Sequence, residues 1–285
     1  NKLPFVYQDM DLFRHKIVYY ESSRGCPFSC SYCLSSVEKC LRFRDARRVV
    51  KELQFFIDQK VPQVKFVDRT FNCNKKRAIK IWKYIKEHDQ GVTNFHFEIA
   101  ADLLDEESLE VLEDMRPGLV QLEIGIQSTN PETLKEIHRT MNFEKVAERV
   151  KRINQKGNIH QHLDLIAGLP YENYRRFSQS FDDVFKLRPQ QLQLGFLKVL
   201  KGSYMEEMAA TYKMQYQNRP PFEVLSTRWL SYKDVIRLKE VEDMVEVYYN
   251  SGMFDKTIAE LVQRMKHPFR LFEHLADYYK EHGYQ

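Results

Sequence analysis

The sequence predicts an α/β chain in which parallel strands alternate with crossover helices, followed by a helical tail. Between residues 17 and 200, short runs of β-branched and apolar residues alternate with longer amphipathic stretches, a pattern typical of βα repeats. After Gly202 these short runs stop, and an aromatic-rich sequence with helical periodicity takes their place. We therefore expect a domain boundary near residue 202, between a βα domain at 1–202 and a helical domain at 203–285.

Six strands are predicted in the first part, each a short apolar run bounded by turn-forming residues. Six repeats of this size form either an open doubly wound sheet or a curved, partly closed barrel, and periodicity alone does not choose between them. In both folds ligands bind at the carboxyl ends of the strands. The predicted strands are Ile17–Glu21, Gln63–Asp68, Phe95–Ala100, Leu119–Gly125, His160–Gly168 and Gln191–Val199.

Predicted helices connect these strands, and several carry start or stop residues. Asp105 and Asn173 can each accept amide hydrogen bonds at a helix start, as can Asn72 or Asn74, and Gly157 suits the left-handed position after a helix. The connecting helices are predicted at Asp45–Gln59, Lys75–His88, Asp105–Met115, Pro131–Glu136 with Phe143–Gln155, and Asn173–Leu187. The tail helices are predicted near Ser231–Asn250, Asp255–Met265 and Pro268–His282.

The composition is that of a folded chain without a membrane span or a disulfide framework. Hydrophobic residues make up 43% of the 285 residues, and 44 basic against 40 acidic side chains leave a net charge of +4. That charge is too small to indicate nucleic-acid binding by itself, and no apolar run approaches the roughly 20 residues that cross a bilayer. Five cysteines are too few for a disulfide scaffold, so we expect a reducing, cytoplasmic location. Because the chain begins at Asn1 rather than Met, we expect it to be part of a longer protein.

Three of the five cysteines lie close together, directly after the first predicted strand. Cys26, Cys30 and Cys33 are separated by three and two residues, a spacing that lets one loop present three thiolates to one inorganic centre. Structural zinc sites and ordinary iron–sulfur clusters take four protein ligands, so three thiolates leave one metal position open. The alternative is a closed zinc site whose fourth ligand is Cys40, Cys73 or His15.

The pattern C-x3-C-x-aromatic-C, formed here by Cys26, Cys30, Tyr32 and Cys33, resembles the signature of the radical S-adenosylmethionine enzymes. The resemblance covers residues 17 to about 200 and implies a partial (β/α)6 TIM-like barrel with a helical C-terminal extension. It also implies that the cysteines hold a [4Fe-4S] cluster that binds S-adenosylmethionine. An electron from a donor such as flavodoxin or ferredoxin would then cleave this cofactor to methionine and a 5′-deoxyadenosyl radical. Tyr32 would pack against the adenine; its alternative role is that of a half-buried core aromatic.

Polar residues near the strand ends are further candidates for cofactor binding. Glu98 interrupts an apolar strand, where a lone carboxylate is costly unless it meets a donor. Gln127 ends a run that resembles the fourth-strand segment of oxygen-independent coproporphyrinogen oxidases and methylthiotransferases, and Arg139 falls where that lineage places a carboxylate-binding arginine. Asp164 lies in a run that resembles the family's fifth strand, ending in Gly-Leu-Pro. The alternatives are solvated strand tips for the carboxylates and a surface ion pair for Arg139.

The turn after the second predicted strand departs from the family pattern. Many members carry a Gly-Gly-Glu-type turn there, which meets the amino group of the cofactor. This chain has Asp68 and Thr70 instead. We expect one of these two side chains to take over that contact; the alternative is an ordinary strand-to-helix turn.

The C-terminal segments Pro220–Ser231 and Val247–Gly252 resemble the uncharacterised helical tail of a bacterial group of radical enzymes that carry a cobalamin-binding domain. In that group the cobalamin domain precedes the cysteine loop. No Asp-x-His-x-x-Gly loop of the cobalamin-ligating kind occurs in these 285 residues, so any cobalamin would have to come with an N-terminal domain outside this chain. The tail would also cover the open edge of a partial barrel.

Two functions follow from these patterns. The first is a radical S-adenosylmethionine enzyme, of oxidoreductase or methyltransferase type, that acts on a small molecule rather than on transfer RNA. The second is a non-catalytic, zinc-stabilised or RNA-binding adaptor on a βα scaffold, which the basic stretches Arg42–Arg48 and Lys75–Arg77 would serve. Such stretches are more often the solvated face of a helix. Iron content separates the two hypotheses.

Overall fold

The computed structural model of the chain describes residues 4–7, 9–13, 16–37 and 39–284. Each of the six predicted strands is present, with ends that differ by a few residues; the last, for example, ends at Phe196 rather than Val199. Over the described ranges the strands are β1 (Val18–Tyr20), β2 (Ser23–Arg24), β3 (Arg42–Phe43), β4 (Gln63–Phe66), β5 (Asn94–Ile99), β6 (Val120–Gln127), β7 (His160–Ala167), β8 (Gln191–Phe196), β9 (Gln215–Tyr216) and β10 (Val224–Ser226).

The helices begin and end largely where the capping residues predict. Asp105 and Asn173 accept the backbone N–H of Ser108 and Arg176 respectively, and Gly157 has a φ of 64° after its helix. Of the two asparagines considered for the second helix, Asn74 is the cap. The α-helices are α1 (Ala46–Asp58), α2 (Lys75–His88), α3 (Glu106–Glu113), α4 (Pro131–Glu136), α5 (Phe143–Lys156), α6 (Tyr174–Phe185), α7 (Tyr204–Glu207), α8 (Tyr232–Val245), α9 (Asp255–Arg264) and α10 (Pro268–Glu281).

The main sheet contains six strands in the order β1-β4-β5-β6-β7-β8. This order follows the chain without a reversal, whereas a doubly wound sheet reverses its strand order at a switch point. The pairs β1/β4, β4/β5 and β5/β6 are parallel, with Val18 opposite Val64 and Phe95 opposite Val120. Of the two folds that the sequence allowed, the sheet therefore has the topology of a partial TIM-like barrel, as expected.

The chain divides into two compact units. The first unit comprises residues 1–27, 38–125 and 144–162, and the second comprises residues 28–37, 126–143 and 163–285. Aromatic side chains fill the core of the first unit: Phe66, Phe71 and Phe97 are buried, with ring centroids 4.3 to 5.2 Å apart. In the second unit, Phe181 of α6 packs against Phe269 of α10 at 5.3 Å. Each unit thus has a core of its own.

Two pairs of short strands were not predicted. β2 pairs with β3 in the first unit and β10 with β9 in the second, both antiparallel. The expectation that strands cease after Gly202 was therefore wrong for β9 and β10, because neither lies in an apolar run as long as those of the six strands of the main sheet. None of the helices in the described part of the chain combines the length and apolarity that a bilayer span needs. The domain boundary near residue 202 stays a prediction.

Candidate functional site

All five cysteines are free thiols. Cys26, in the first unit, is buried, and its Sγ lies 3.7 Å from Thr70 Oγ1. Cys73 belongs to the same unit, where burial and the neighbouring Cys26 raise the pKa of its thiol. Within the described ranges, no three His, Cys, Asp or Glu side chains are grouped so as to hold a metal ion. His15, a candidate zinc ligand, lies outside these ranges.

Backbone hydrogen bonds within the second unit hold the rest of the cysteine loop. Ser31 N–H donates to Ile137 O at 2.9 Å, and Ser31 O accepts from Met205 N–H at 3.0 Å. The segment therefore contacts both the end of α4 and α7, although more than 100 residues separate it from each in the sequence. Because a loop without regular structure needs such partners for its backbone groups, these contacts fix the direction of the side chains that follow.

Arg139 places a cation beside the second cysteine of the loop. Its Nη1 donates to Tyr32 Oη at 3.2 Å and to Cys30 Sγ at 3.6 Å. Burial lowers the pKa of the Arg139 guanidinium, but the Tyr32 hydroxyl and the Cys30 thiol outweigh burial and raise that pKa overall. Arg139 is thus directed to the cysteine loop.

A cavity of about 490 Å³ lies within the second unit. Its lining includes Tyr32, Cys33, Gln127 and Asp164, four of the residues selected from the sequence. This volume is in the range of cavities that bind one cofactor-sized molecule. The second unit therefore brings these four side chains to one space, with Arg139 in contact with Tyr32.

Gln127, which lines this cavity, has both a strained backbone and an unpaired side-chain oxygen. It ends β6 with a φ of 73°, a left-handed conformation that costs a non-glycine residue about 1–2 kcal/mol. Its Oε1 is buried and accepts no hydrogen bond from the described residues, and the same holds for the hydroxyl of Ser31 in the cysteine loop. Buried polar atoms are normally paired, so unpaired ones that line a cavity indicate a ligand that supplies the partner.

Glu98 belongs to the first unit, where its register partner is Glu123 on β6. Glu123 Oε2 accepts a hydrogen bond from Lys65 Nζ at 2.8 Å and lies 3.0 Å from His96 Nε2. Burial alone would raise the pKa of Glu123, but His96 and Lys65 lower it to about 2. One face of β4, β5 and β6 in this unit is therefore lined with polar and charged groups.

Asp68 is one of the two residues expected to contact the amino group of a cofactor. Its carboxylate instead accepts hydrogen bonds from within the first unit. Its carboxylate accepts from Ser22 N–H at 2.9 Å, from Ser22 Oγ at 2.8 Å and from Ser23 Oγ. Burial raises the pKa of Asp68 despite these hydrogen bonds. The carboxylate thus fixes the chain at the end of β1, while Thr70 is the residue beside Cys26.

Sequence reasoning missed Glu172, a buried carboxylate behind the strand ends. It accepts hydrogen bonds from the hydroxyls of Ser128 and Ser180, the latter at 2.7 Å. Thr133 Oγ1 in turn donates to Pro170 O at 2.8 Å. Burial raises the pKa of Glu172 above its ordinary value. These bonds connect the turn after Gln127 to the loop after β7. The signal that could have indicated them is a carboxylate two residues after the apolar run that ends in Gly-Leu-Pro.

Gly168 belongs to the Gly-Leu-Pro run after β7. Its backbone conformation and the side chains around it both exclude a larger residue. Its φ is 90°, and a Cβ at this position would lie 2.7 Å from Val224 Cγ1 on β10. We expect Gly168→Ala to destabilise the chain by about 3 kcal/mol, because backbone strain adds to a steric overlap in a buried site. Chemical denaturation of the two proteins measures this difference.

Gly202→Ala is the matched control for that substitution. Gly202 has a φ of 80°, but no atom lies within 4 Å of the position of a Cβ. This variant should therefore lose only the strain of a left-handed residue, about 1 kcal/mol. Equal losses in the two variants would show that the contact with Val224 contributes nothing.

Two known protein families match different parts of the chain. The family described as the radical SAM superfamily matches residues 20–184, more than half of the 285 residues. The chain belongs to the radical SAM superfamily. A second family, described as "Protein of unknown function (DUF4080)", matches residues 210–285. The resemblance to a radical SAM group with an uncharacterised helical tail is thereby confirmed.

Curated relatives of this radical SAM chain include enzymes of two classes. The uncharacterized methyltransferase PH0819 of Pyrococcus horikoshii is 28% identical over 192 residues, which are 66% of this chain and 41% of the relative. The oxygen-independent coproporphyrinogen-III oxidase-like protein HemZ of Bacillus subtilis is 30% identical over 169 residues, 47% of this chain and 34% of the relative. The cobalamin-dependent radical SAM methyltransferase TokK of Streptomyces tokunonensis is 26% identical, over 55% of this chain and 24% of the relative. The chain spans less than half the length of each.

Solved structures show the same fold. The radical S-adenosylmethionine methyltransferase TsrM of Kitasatospora setae, solved with cobalamin and a [4Fe-4S] cluster, matches 78% of this chain and 45% of its own, with a TM-score of 0.62 and 17% identity. Coproporphyrinogen III oxidase (HemN) of Escherichia coli matches 78% of this chain and 51% of its own, with a TM-score of 0.53 and 19% identity. The radical SAM fold of the chain is therefore confirmed.

Proposed function

We propose that this chain is the catalytic core of a radical SAM enzyme, which binds a [4Fe-4S] cluster through Cys26, Cys30 and Cys33 and cleaves S-adenosylmethionine reductively. The observation that carries this proposal is the cavity of the second unit, where Cys33 and Tyr32 share one space with the buried, unpaired Oε1 of Gln127. A cavity with a metal-binding thiol and an unsatisfied acceptor suits a cofactor that binds to both.

The donor types present fit this cofactor pair: each thiolate of a [4Fe-4S] cluster binds a different iron, so the three sulfurs need not surround one metal ion. The three thiols are free, and the Arg139 guanidinium donates a hydrogen bond to Cys30 Sγ at 3.6 Å. When bound, this pair would supply the one-electron reductive cleavage of the S-adenosylmethionine sulfonium that begins radical chemistry on the substrate. The protein's own part is to bind, orient and exclude water around these groups.

We assign binding roles to the candidate residues of the second unit. Gln127 Oε1 accepts a hydrogen bond from a hydroxyl or ammonium of S-adenosylmethionine, and Arg139 donates to its carboxylate. Tyr32 packs against the adenine. Asp164, in the same cavity, accepts from a remaining donor of the cofactor.

The reaction is proposed to be a methyl transfer or an oxidation of a small molecule, the two classes to which the relatives belong. Cobalamin appears in the names of TokK and of the solved TsrM complex. We propose that a domain outside these residues supplies it to this enzyme, and that a flavodoxin- or ferredoxin-type protein supplies the electron.

Metal content and cofactor cleavage test this proposal. Anaerobically reconstituted protein should contain about four iron and four sulfide per chain, and dithionite reduction should yield 5′-deoxyadenosine and methionine from S-adenosylmethionine. Iron and sulfide analysis and liquid chromatography of the products measure both. One tightly bound zinc and no iron would contradict the proposal and favour a zinc-stabilised adaptor; tight RNA binding without cofactor cleavage would favour an RNA-binding one.

A further inference from the structure

The tail forms one wall of the cavity that contains Cys33 and Gln127. Glu223 next to β10, and Lys239 and Glu242 on α8, line this cavity. Lys239 and Glu242 are three positions apart, so they project from the same face of the helix. These two helix residues, together with Glu223, give this wall of the cavity three charged side chains that a ligand can contact.

Two of these three charges neutralise each other. Lys239 Nζ forms a salt bridge with Glu223 Oε1, and it also lies 4.5 Å from the centre of the Phe196 ring. Both groups are less exposed than a free surface pair, with 37% of the Lys239 and 17% of the Glu223 side chain accessible. The lysine is therefore held in place and its charge is satisfied within the protein.

Glu242 is the charge of this wall that has no partner. Within the part of the chain that the structure describes, its half-buried carboxylate makes no hydrogen bond or ion pair. Burial, followed by the nearby Asp243 and Glu246, raises the pKa of Glu242, and Lys239 opposes this only in part. Ionised carboxylates in partly buried sites are costly without a cation, so this position favours a positively charged group.

In the described part of the chain, the other charged residues that line the cavity do not form an ion pair with Glu242. Lys198 and Asp164 also line the cavity and carry opposite charges. Lys198 is exposed, so water screens its charge. Lys239 therefore compensates the Glu242 carboxylate only in part, and no ion pair completes that compensation within the described residues.

We propose that Glu242 is the subsite for a protonated amine of the substrate, in the cavity that Cys33 and Gln127 also line. This inference rests on the proposed function and adds the chemical class of the substrate to it: an amine-bearing small molecule. The helical tail is then the part of the enzyme that selects the substrate.

Binding of three small probes to the reconstituted full chain, in low salt with S-adenosylmethionine present, tests this subsite. The probes are butylammonium, 1-butanol and butyrate, which differ mainly in charge, and ligand-observed NMR titration gives their dissociation constants. Butylammonium should bind about tenfold more tightly than butanol, because a charge-assisted hydrogen bond is available only to the cation. Butyrate should bind most weakly.

Glu242→Gln should remove this preference, so that the butylammonium dissociation constant rises about tenfold and approaches that of butanol. Glu242→Lys should make butyrate the preferred probe, and circular dichroism confirms that each variant is folded. Asp243→Asn is the matched control: it removes the same charge from the next, exposed position of the helix and should leave the preference intact.

The outcomes separate the two proposals. Equal binding of butylammonium and butanol to the wild-type chain, or an unchanged preference in Glu242→Gln, would overturn the subsite while S-adenosylmethionine cleavage persists. Conversely, a preference that depends on Glu242 in a chain that binds no iron and cleaves no S-adenosylmethionine would refute the proposed function and retain a cation site.

Discussion

Cys30→Ala is expected to contain almost no iron after anaerobic reconstitution and to produce no detectable 5′-deoxyadenosine. The proposed cluster has three protein ligands, and the loss of one leaves two thiolates, which are too few to retain it. Cys30 is also the thiol that Arg139 contacts at 3.6 Å, so its removal leaves the guanidinium without that partner. The same loss is expected for Cys26→Ala and Cys33→Ala. Iron analysis, the visible absorption of the cluster and product chromatography measure it.

The control for these variants is Cys40→Ala. Cys40 is an exposed thiol only seven residues after Cys33, and the radical SAM pattern does not include it. This variant should reconstitute with the full iron content and retain cofactor cleavage, as should Cys73→Ala. Full activity in Cys30→Ala, or loss of the cluster in Cys40→Ala, would contradict the assignment of the three ligands.

Arg139→Ala is expected to weaken the binding of S-adenosylmethionine about tenfold or more. A guanidinium–carboxylate hydrogen bond with charge on both partners contributes about 1.5–3 kcal/mol, and the half-buried position of Arg139 limits screening by water. The chain should remain folded, because Arg139 follows the short helix α4 and is not part of a hydrophobic core. Equilibrium binding of S-adenosylmethionine to the reconstituted protein measures the change.

Lys135→Ala provides the comparison for Arg139. It removes a positive charge from an exposed position in the last turn of α4, and it should leave the affinity unchanged. Iron content must be measured in parallel, since Arg139 also contacts Cys30 and Tyr32. If Arg139→Ala binds the cofactor as tightly as the wild-type chain, the arginine supports the cysteine loop only.

The strands and helix starts of this chain were predictable because they depend on neighbouring residues. Asp105 and Asn173 cap helices through N–H groups three positions further on, and the spacing that allows this is visible in the sequence. The six strands of the main sheet are likewise apolar runs of sufficient length. In contrast, β9 and β10 depend on pairing between segments too short to be recognised, so the tail contains strands where only helices were expected.

The sequence by itself determined the βα architecture, the three spaced cysteines and the polar residues near strand ends, because each is a local pattern of residue types. Only the tertiary structure decided which of these residues share a site. Arg139 contacts Cys30 across 109 positions, Glu172 accepts from Ser128 across 44, and Glu242 of the tail reaches the cavity of Cys33. The partners of a buried charge are chosen by how the chain packs, and packing brings together residues whose separation in the sequence carries no signal.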